Sequence, residues 1–213
     1  MNWQDSYRAK LTNPADALEE IRSGQRVWIH AGCATPCTLV SQLQKRAPHL
    51  YDVELMHMLT MGDAWYTRPE FEGHFRANSL FIGANVRGAI AEGRADYTPI
   101  FLSEIEGLFL SGERPLDVVL CQVSPPDDHG YMSLGVSIDC TLTAARNASV
   151  VIAEVNDQMP RALGDAFLHI SEITHVIETS HPLHELVPEP YNEIQSRIAA
   201  HVAALIPDGA TLQ

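Results

Sequence analysis

Leu-Asp-Val-Val-Leu-Cys-Gln-Val-Ser-Pro-Pro-Asp-Asp-His-Gly-Tyr-Met-Ser-Leu-Gly, residues 116–135, decides between fold classes for this chain. Its first part, Val118–Val123, is a short apolar run rich in β-branched residues and without strict alternation, the pattern of a strand covered on both faces. Two prolines, two aspartates, a histidine and a glycine follow at once. Rigid backbone and titratable side chains therefore concentrate where the strand ends, and in open α/β sheets that carboxyl end is where ligands bind. The same residues are also good turn formers, so a simple connecting turn is the competing reading.

Working outward, the chain alternates strand and helix. Asn13 as a cap, Pro14 at the first helical position and Ala17, Leu18 and Ile21 on one face predict a helix over 13–21, closed by Gly24. A strand is expected at 26–31, a small-residue loop at 32–36 and a helix over 36–45 with Leu39, Val40 and Leu43 inward. Further strands are expected at 52–58, 80–82, 149–155 and 173–178, with helices near 85–93, 100–110, 138–147 and 192–205. The aromatic stretch after residue 58 (Trp65, Tyr66, Phe71, His74, Phe75) is too long for an ordinary link, which suggests a functional or disordered loop. Such a series predicts an α/β fold with a mostly parallel open sheet and helices on both faces.

The chain has 213 residues, 46% of them hydrophobic, enough to bury a core of its own. Its 14 Lys+Arg against 27 Asp+Glu give a net charge of −13, which argues against nucleic acid or anionic lipid as partners. No run approaches a membrane span, and Met-Asn-Trp-Gln-Asp-Ser lacks the pattern of a secretory signal, so a cytoplasmic location is expected. Cys33, Cys37, Cys121 and Cys140 show no paired spacing and read as reduced thiols.

Three groups of residues could carry chemistry. Gly32, Cys33, Ala34, Thr35 and Pro36 form a small-residue loop between strand and helix, where a ligand can approach backbone amides, or simply a compact turn. His30, His57, Asp127, Asp128 and His129 lie near expected strand ends and could converge on a metal or serve as hydrogen-bonded structural residues. In Ala-Glu-Val-Asn-Asp-Gln-Met-Pro-Arg, residues 153–161, Glu154 could be a nucleophile, an ion-paired group or a helix cap. Arg87, Arg94 and Arg161 could grip a carboxylate or phosphate, or be structural. The tail Ile-Pro-Asp-Gly-Ala-Thr-Leu-Gln, 206–213, echoes Ile-Arg-Ser-Gly-Gln-Arg-Val-Trp, 21–28, as though a second unit begins there.

Longer motifs add to this reading. Phe-Ile-Gly (81–83) with Arg87, Glu-Gly-Arg-Ala-Asp-Tyr-Thr-Pro (92–99), Val-Ser-Pro-Pro-Asp-Asp-His-Gly (123–130) with Ser-Leu-Gly (133–135), Ala-Glu-Val-Asn (153–156) with Met-Pro (159–160), and Asp-Gly-Ala-Thr-Leu-Gln (208–213) occur in one order. Together they resemble the acetyl-CoA hydrolase/transferase family, close to 4-hydroxybutyrate, butyrate and acetate CoA-transferases.

The resemblance implies a fold of the NagB/RpiA/CoA-transferase type, with residues 1–205 an amino-terminal domain and 206–213 the start of a linker or second domain. It implies transfer of CoA between a short-chain acyl-CoA and a carboxylate, through a glutamyl-CoA intermediate whose glutamate lies in the second half. Coenzyme A would be a substrate, with no tightly bound cofactor or metal, and the assembly a homo-oligomer. The cleft facing that glutamate would comprise Gly32, Cys33, Ala34, Thr35 and Pro36, then Ser124, Pro125, Pro126, Asp127, His129 and Gly130, then Asn156, Met159 and Pro160. The competing functions are acyl-CoA hydrolysis, a non-catalytic CoA-binding or assembly domain, and a metal-dependent hydrolase using His129.

Overall fold

The computed structural model describes residues 2–212. Its strands in chain order are β1 (Arg26–Ile29), β2 (Val53–His57), β3 (Phe75–Ser79), β4 (Asp96–Tyr97), β5 (Val118–Val123), β6 (Tyr131–Ser133), β7 (Val150–Asn156), β8 (Phe167–His169) and β9 (His175–Thr179). Seven of them form one sheet in the order β4-β3-β2-β1-β5-β7-β9, every pairing parallel. β6 and β8 pair antiparallel as a separate ribbon. The helices are α1 (Trp3–Lys10), α2 (Pro14–Ala17), α3 (Cys37–Leu43), α4 (Ala84–Ala91), α5 (Ile105–Leu110), α6 (Thr141–Asn147) and α7 (Glu193–Ala203). None of these helices is long and apolar enough to cross a membrane.

Every residue of β5 is buried, as its sequence predicts for a strand sandwiched between two layers. Val118 and Leu120 point into a core shared with α2, α3, α4 and the aromatic connection. Val119, Cys121 and Val123 point into a second core with α5, α6 and the β6–β8 ribbon. The period of two along the strand divides one apolar run between two cores. Trp28 of β1 enters the second core, stacks edge-on with Phe109 at 5.3 Å and donates its indole N–H to Thr141 Oγ1 at 3.0 Å.

Local chemistry sets the helix ends. Asn13 caps α2 by accepting from the Asp16 amide at 3.0 Å, with Pro14 at the first position; beyond Ala17 the helix tightens to a 3₁₀ turn, Leu18–Glu20. Leu39, Val40 and Leu43 of α3 are buried, as their spacing predicts. α6 begins three residues later than the pattern suggested, because Asp139, at φ +36°, accepts from the Thr141 amide and stops the helix there.

Two expectations are corrected. The strand expected at 80–82 lies at Phe75–Ser79 instead. Polar residues hide it: Arg76 is paired with Asp96 on the short edge strand β4, and Asn78 donates to Glu54 at 2.7 Å. The long aromatic connection is not disordered. Trp65 meets Tyr66, Phe71 and Phe75 edge-on at 4.9–5.4 Å and donates to the Val40 carbonyl, so the segment plugs one face of the sheet. α1 and the β6–β8 ribbon carry no strong periodicity and emerge only in the fold. By contrast α7 buries none of its residues, and every described residue from Glu185 to the end is exposed.

Candidate functional site at the sheet's switch point

Strand order reverses between β1 and β5: the chain proceeds from β1 outward to β4, then returns to the other side of β1 and proceeds to β9. The crevice outside the carboxyl ends of these two strands is the place where open α/β sheets hold ligands. At that point the strands part. The ladder runs to Ile29↔Leu120, the His30 amide still reaches the Leu120 carbonyl, and then His30 Nδ1 takes the place of a backbone acceptor by accepting from the Gln122 amide at 3.2 Å. With Nδ1 an acceptor, Nε2 carries the proton and donates to the Ser137 carbonyl. Burial lowers the His30 pKa and keeps the ring neutral.

Gly32, Cys33, Ala34, Thr35 and Pro36 line this parting. Gly32 sits at φ +59° with its amide on the Leu59 carbonyl, a left-handed position that suits glycine. Thr35 clasps the loop: its hydroxyl donates to the Gly32 carbonyl at 2.8 Å and accepts from the Met61 amide at 3.0 Å. The amides of Cys33 and Ala34 donate to no group among the described residues.

Beneath the loop lies a buried polar chain from two strands, β5 and β7, joined by His181 beyond the end of β9. Gln122 donates to the Thr35 carbonyl at 3.0 Å and accepts from Asn156 Nδ2 at 2.8 Å. Asn156 Nδ2 also reaches the His181 carbonyl, while its Oδ1 accepts from the amides of Gln158 and His181. Glu154, wholly buried, accepts from the Leu39 amide near the start of α3 at 3.0 Å and from His181 Nε2 at 2.6 Å. The structure thus makes Glu154 both helix cap and ion-pair partner; its two oxygens are occupied, which does not suit a nucleophile.

The other expected residues lie elsewhere. Ser124 exchanges hydrogen bonds with Ser133 across the start of the β6–β8 ribbon. Pro125 and Pro126 face a hollow of about 410 Å³ against Trp3 and Tyr7 of α1. Asp127 closes a turn by accepting from the amides of His129 and Tyr131, both at 2.9 Å, and pairs with Arg161 at 2.6 Å. Burial pushes its carboxyl up, but those two amides and Arg161 outweigh it and leave the pKa lowered. Gly130, at φ +86°, lies against Trp3, whose indole donates to the Asp128 carbonyl. Met159 is buried against Gly135, with Pro160 exposed beside it. Of the three expected segments, then, the first loop and Asn156 meet at the crevice, while the 124–130 loop turns toward α1.

The histidines and aspartates do not converge: among the described residues no group of three or more His, Cys, Asp or Glu could hold a metal. His57 is spent between the Met58 carbonyl and the Tyr66 hydroxyl, and burial lowers its pKa to about 4. Arg161 stacks 4.5 Å over Phe167 besides pairing with Asp127, and Arg94 holds Glu92 and the Thr67 carbonyl, so both are structural. Arg87 is exposed on α4.

Two features escaped the sequence. His181 and Gln122 complete the polar chain, but their partners are distant in sequence. Beside the loop, beyond the ends of β2, β3 and β4, an apolar groove of about 810 Å³ opens between Leu59, Phe81, Tyr97 and Phe101. Phe101 is 76% exposed, a large apolar surface to leave in water; the signal in the sequence was the apolar run Ile100-Phe101-Leu102 directly after Pro99.

A doubly wound α/β domain with its crevice at the β1–β5 switch point defines the class. The chain belongs to the acetyl-CoA hydrolase/transferase family, matching the model of its N-terminal domain over residues 1–188. It is 45% identical over 213 residues to 4-hydroxybutyrate coenzyme A transferase of Clostridium kluyveri, covering all of this chain and 50% of that protein. It is 47% identical over 205 residues to the succinyl-CoA:acetate/propanoyl-CoA:succinate CoA transferase of Fasciola hepatica, covering 95% and 42%. Among solved structures, RipA from Yersinia pestis aligns with a TM-score of 0.92 at 32% identity over 99% of this chain and 51% of that one. A 4-hydroxybutyrate CoA-transferase from Porphyromonas gingivalis aligns at 0.83 and 35%, over 100% and 49%. The chain spans about half the length of the curated relatives it matches.

Proposed function

We propose that this domain is the amino-terminal half of a CoA-transferase that moves CoA between a short-chain acyl-CoA and a carboxylic acid. The observation that carries the reading is the 32–36 loop at the switch point, with the Cys33 and Ala34 amides unspent, in a chain of this family. In the proposed reaction a glutamate from outside this chain attacks the thioester carbonyl. CoA leaves as thiolate and an acyl-glutamyl anhydride forms. Thiolate then attacks the glutamyl carbonyl, releasing the acid and leaving glutamyl-CoA for an acceptor carboxylate. The free amides would donate to the oxyanion that develops on the carbonyl, the kind of preorganised contact worth roughly 3–4 kcal/mol per donor in acyl transfer. The neighbouring apolar groove suits the hydrocarbon part of the acyl group. Coenzyme A enters as substrate, and no metal or tightly held cofactor is invoked.

The half-enzyme reading has a second support at the far end of the chain. The turn that leads into β1 is closed by the Gln25 amide on the Arg22 carbonyl, with Gly24 at φ +79°. After α7 the Ala210 amide closes on the Pro207 carbonyl with Gly209 at φ +79°, the same turn at the positions where the sequence repeats. We take 206–213 as the entry to a second unit related to the first, and a homo-oligomer as the assembly.

The test is transfer of CoA from acetyl-CoA to short carboxylates by this chain, with and without a matching second half. Activity only in the combination supports the reading. Robust transfer by the chain alone overturns the external nucleophile, and thioester hydrolysis without transfer to any acid identifies a hydrolase. CoA binding with neither reaction in the combination leaves the non-catalytic binding domain.

A further inference from the structure

Residues 180–184 leave β9 and cross the carboxyl edge of the sheet as an irregular strap, and three contacts fasten it there. Its backbone is held at His181, where Asn156 bonds both the amide and the carbonyl. Its imidazole at His181 bonds the buried Glu154 at 2.6 Å. Farther on, His184 Nε2 lies 3.1 Å from Cys37 Sγ at the start of α3 and beside Gly62. The strap therefore runs from β7 to α3, over the crevice between β1 and β5.

Both ring nitrogens of His181 face oxygen acceptors: Nε2 faces Glu154 Oε1, and Nδ1 faces the Pro182 carbonyl at 3.1 Å. A neutral imidazole has one N–H, so it would turn a lone pair toward one of these oxygens; an imidazolium satisfies both. The groups that face this ring or its partner are Glu154 from β7, the Leu39 amide and Cys37 from α3, and, on the strap, His184 and the Pro182 carbonyl; Gln122 of β5 faces Asn156 and is uncharged. Glu154 in turn holds the Leu39 amide, and α3 follows directly on the 32–36 loop.

We propose that His181 is a positioning residue: as an imidazolium clamped across the switch-point crevice, it fixes Glu154 and through it the start of α3 and the 32–36 loop. This deepens the proposed function, since it rests on that loop being the site. Burial works against the charge on His181, but the hydrogen bonds to Glu154 and Pro182 prevail and its pKa is raised. A raised histidine pKa contributes order that is complete below the ordinary histidine range and is lost as pH rises through the raised value. The strap is therefore fastened in weak acid and loosens toward alkaline pH.

Cys37, under His184, reports on the strap directly. In a Cys33→Ser background, with Cys121 and Cys140 buried, the alkylation rate of Cys37 divided by its thiolate fraction is measured from about pH 5.5 to about pH 8.5, across the histidine range. With His181 present the normalised rate rises with pH, by about tenfold for each unit by which the imidazole is raised. In His181→Gln and in Glu154→Gln the profile is flat and already high. Superimposable profiles with and without His181 overturn the proposal. Amide exchange of Leu39 in the unaltered chain, corrected for intrinsic rate, is the second reading and needs no variant. Acceleration at the alkaline end is expected, and constant protection overturns the clamp. None of these readouts uses transfer activity, so loss of the clamp and loss of the CoA-transferase reading are separate results.

Discussion

The loops that follow β1 and β5 leave neighbouring strands at the same edge of the sheet, yet their polar groups are spent in different ways. The 124–130 loop has the residues that attract the eye, Asp-Asp-His-Gly after two prolines. Asp127 closes its own turn and pairs with Arg161, and Trp3 covers Gly130, while the Asp128 and His129 side chains stand exposed on the loop that turns toward α1. The 32–36 loop has almost no side-chain chemistry. It keeps two amides unspent and is supported from below by buried Gln122, Asn156 and Glu154. The two loops thus offer different chemistry at one sheet edge: exposed titratable side chains in one, and unspent backbone donors over a satisfied polar network in the other.

The largest effect that could break this contrast is removal of its support. Glu154→Ala removes the buried carboxylate, leaving the Leu39 amide and the partly exposed His181 imidazole without their shared partner, and should cost about 3 kcal/mol. Asp127→Ala removes partly solvated hydrogen bonds and should cost about 1 kcal/mol. Equal losses for the two variants in denaturant unfolding would erase the distinction.

Acid separates the loops next. His57, beneath the 58–61 segment that clasps the first loop, has a pKa lowered to about 4, so between its ordinary value and about pH 4 only the unfolded chain takes up that proton. Stability there falls as pH falls, by roughly 3 kcal/mol in total for this group, and His30 adds to it in the same direction. Asp127, with its pKa lowered, keeps its contribution until pH falls below the ordinary carboxylate range. Residue-resolved hydrogen exchange against pH should therefore loosen the 32–36 loop before the 124–130 turn; simultaneous loosening would show that the two are one unit.

Smaller changes sharpen the comparison. Gly130→Ala places a Cβ 2.9 Å from Trp3 Cβ at φ +86°, and should cost about 1–3 kcal/mol in thermal unfolding without altering the first loop. Thr35→Val removes the hydroxyl that joins Gly32 to Met61, with a loss of about 1 kcal/mol in stability. In the assembled transferase it should lower kcat by about tenfold, through misplaced amides, while Asp127→Ala leaves kcat within about twofold. A larger effect of Asp127→Ala on kcat would move the site to the other loop.

Much of the sheet was legible because each strand's environment is written in its own residues. Val118–Val123 and Val150–Asn156 are apolar along nearly their whole length since both faces are covered, and α3 shows its inner face at helical spacing. β3 was misplaced because Arg76 and Asn78 break its apolar run, and they are tolerated only because Asp96 and Glu54 stand beside them. The 32–36 loop was legible as small residues between strand and helix. Gln122, buried within an apolar strand, and His181, in a Pro-rich stretch, were not, since each takes its meaning from partners more than twenty residues away.

The sequence by itself determined the parallel α/β class, the central strand, the family and the loop at the end of β1, because apolar periodicity, turn chemistry and ordered motifs are local properties of the chain. Only the tertiary structure decided which strand-end loop rests on the buried Gln122–Asn156 pair, that the Glu154 carboxylate accepts from the start of α3, and that His181 reaches back to that carboxylate. Those outcomes depend on which distant polar groups are brought together when burial forces each of them to find a partner.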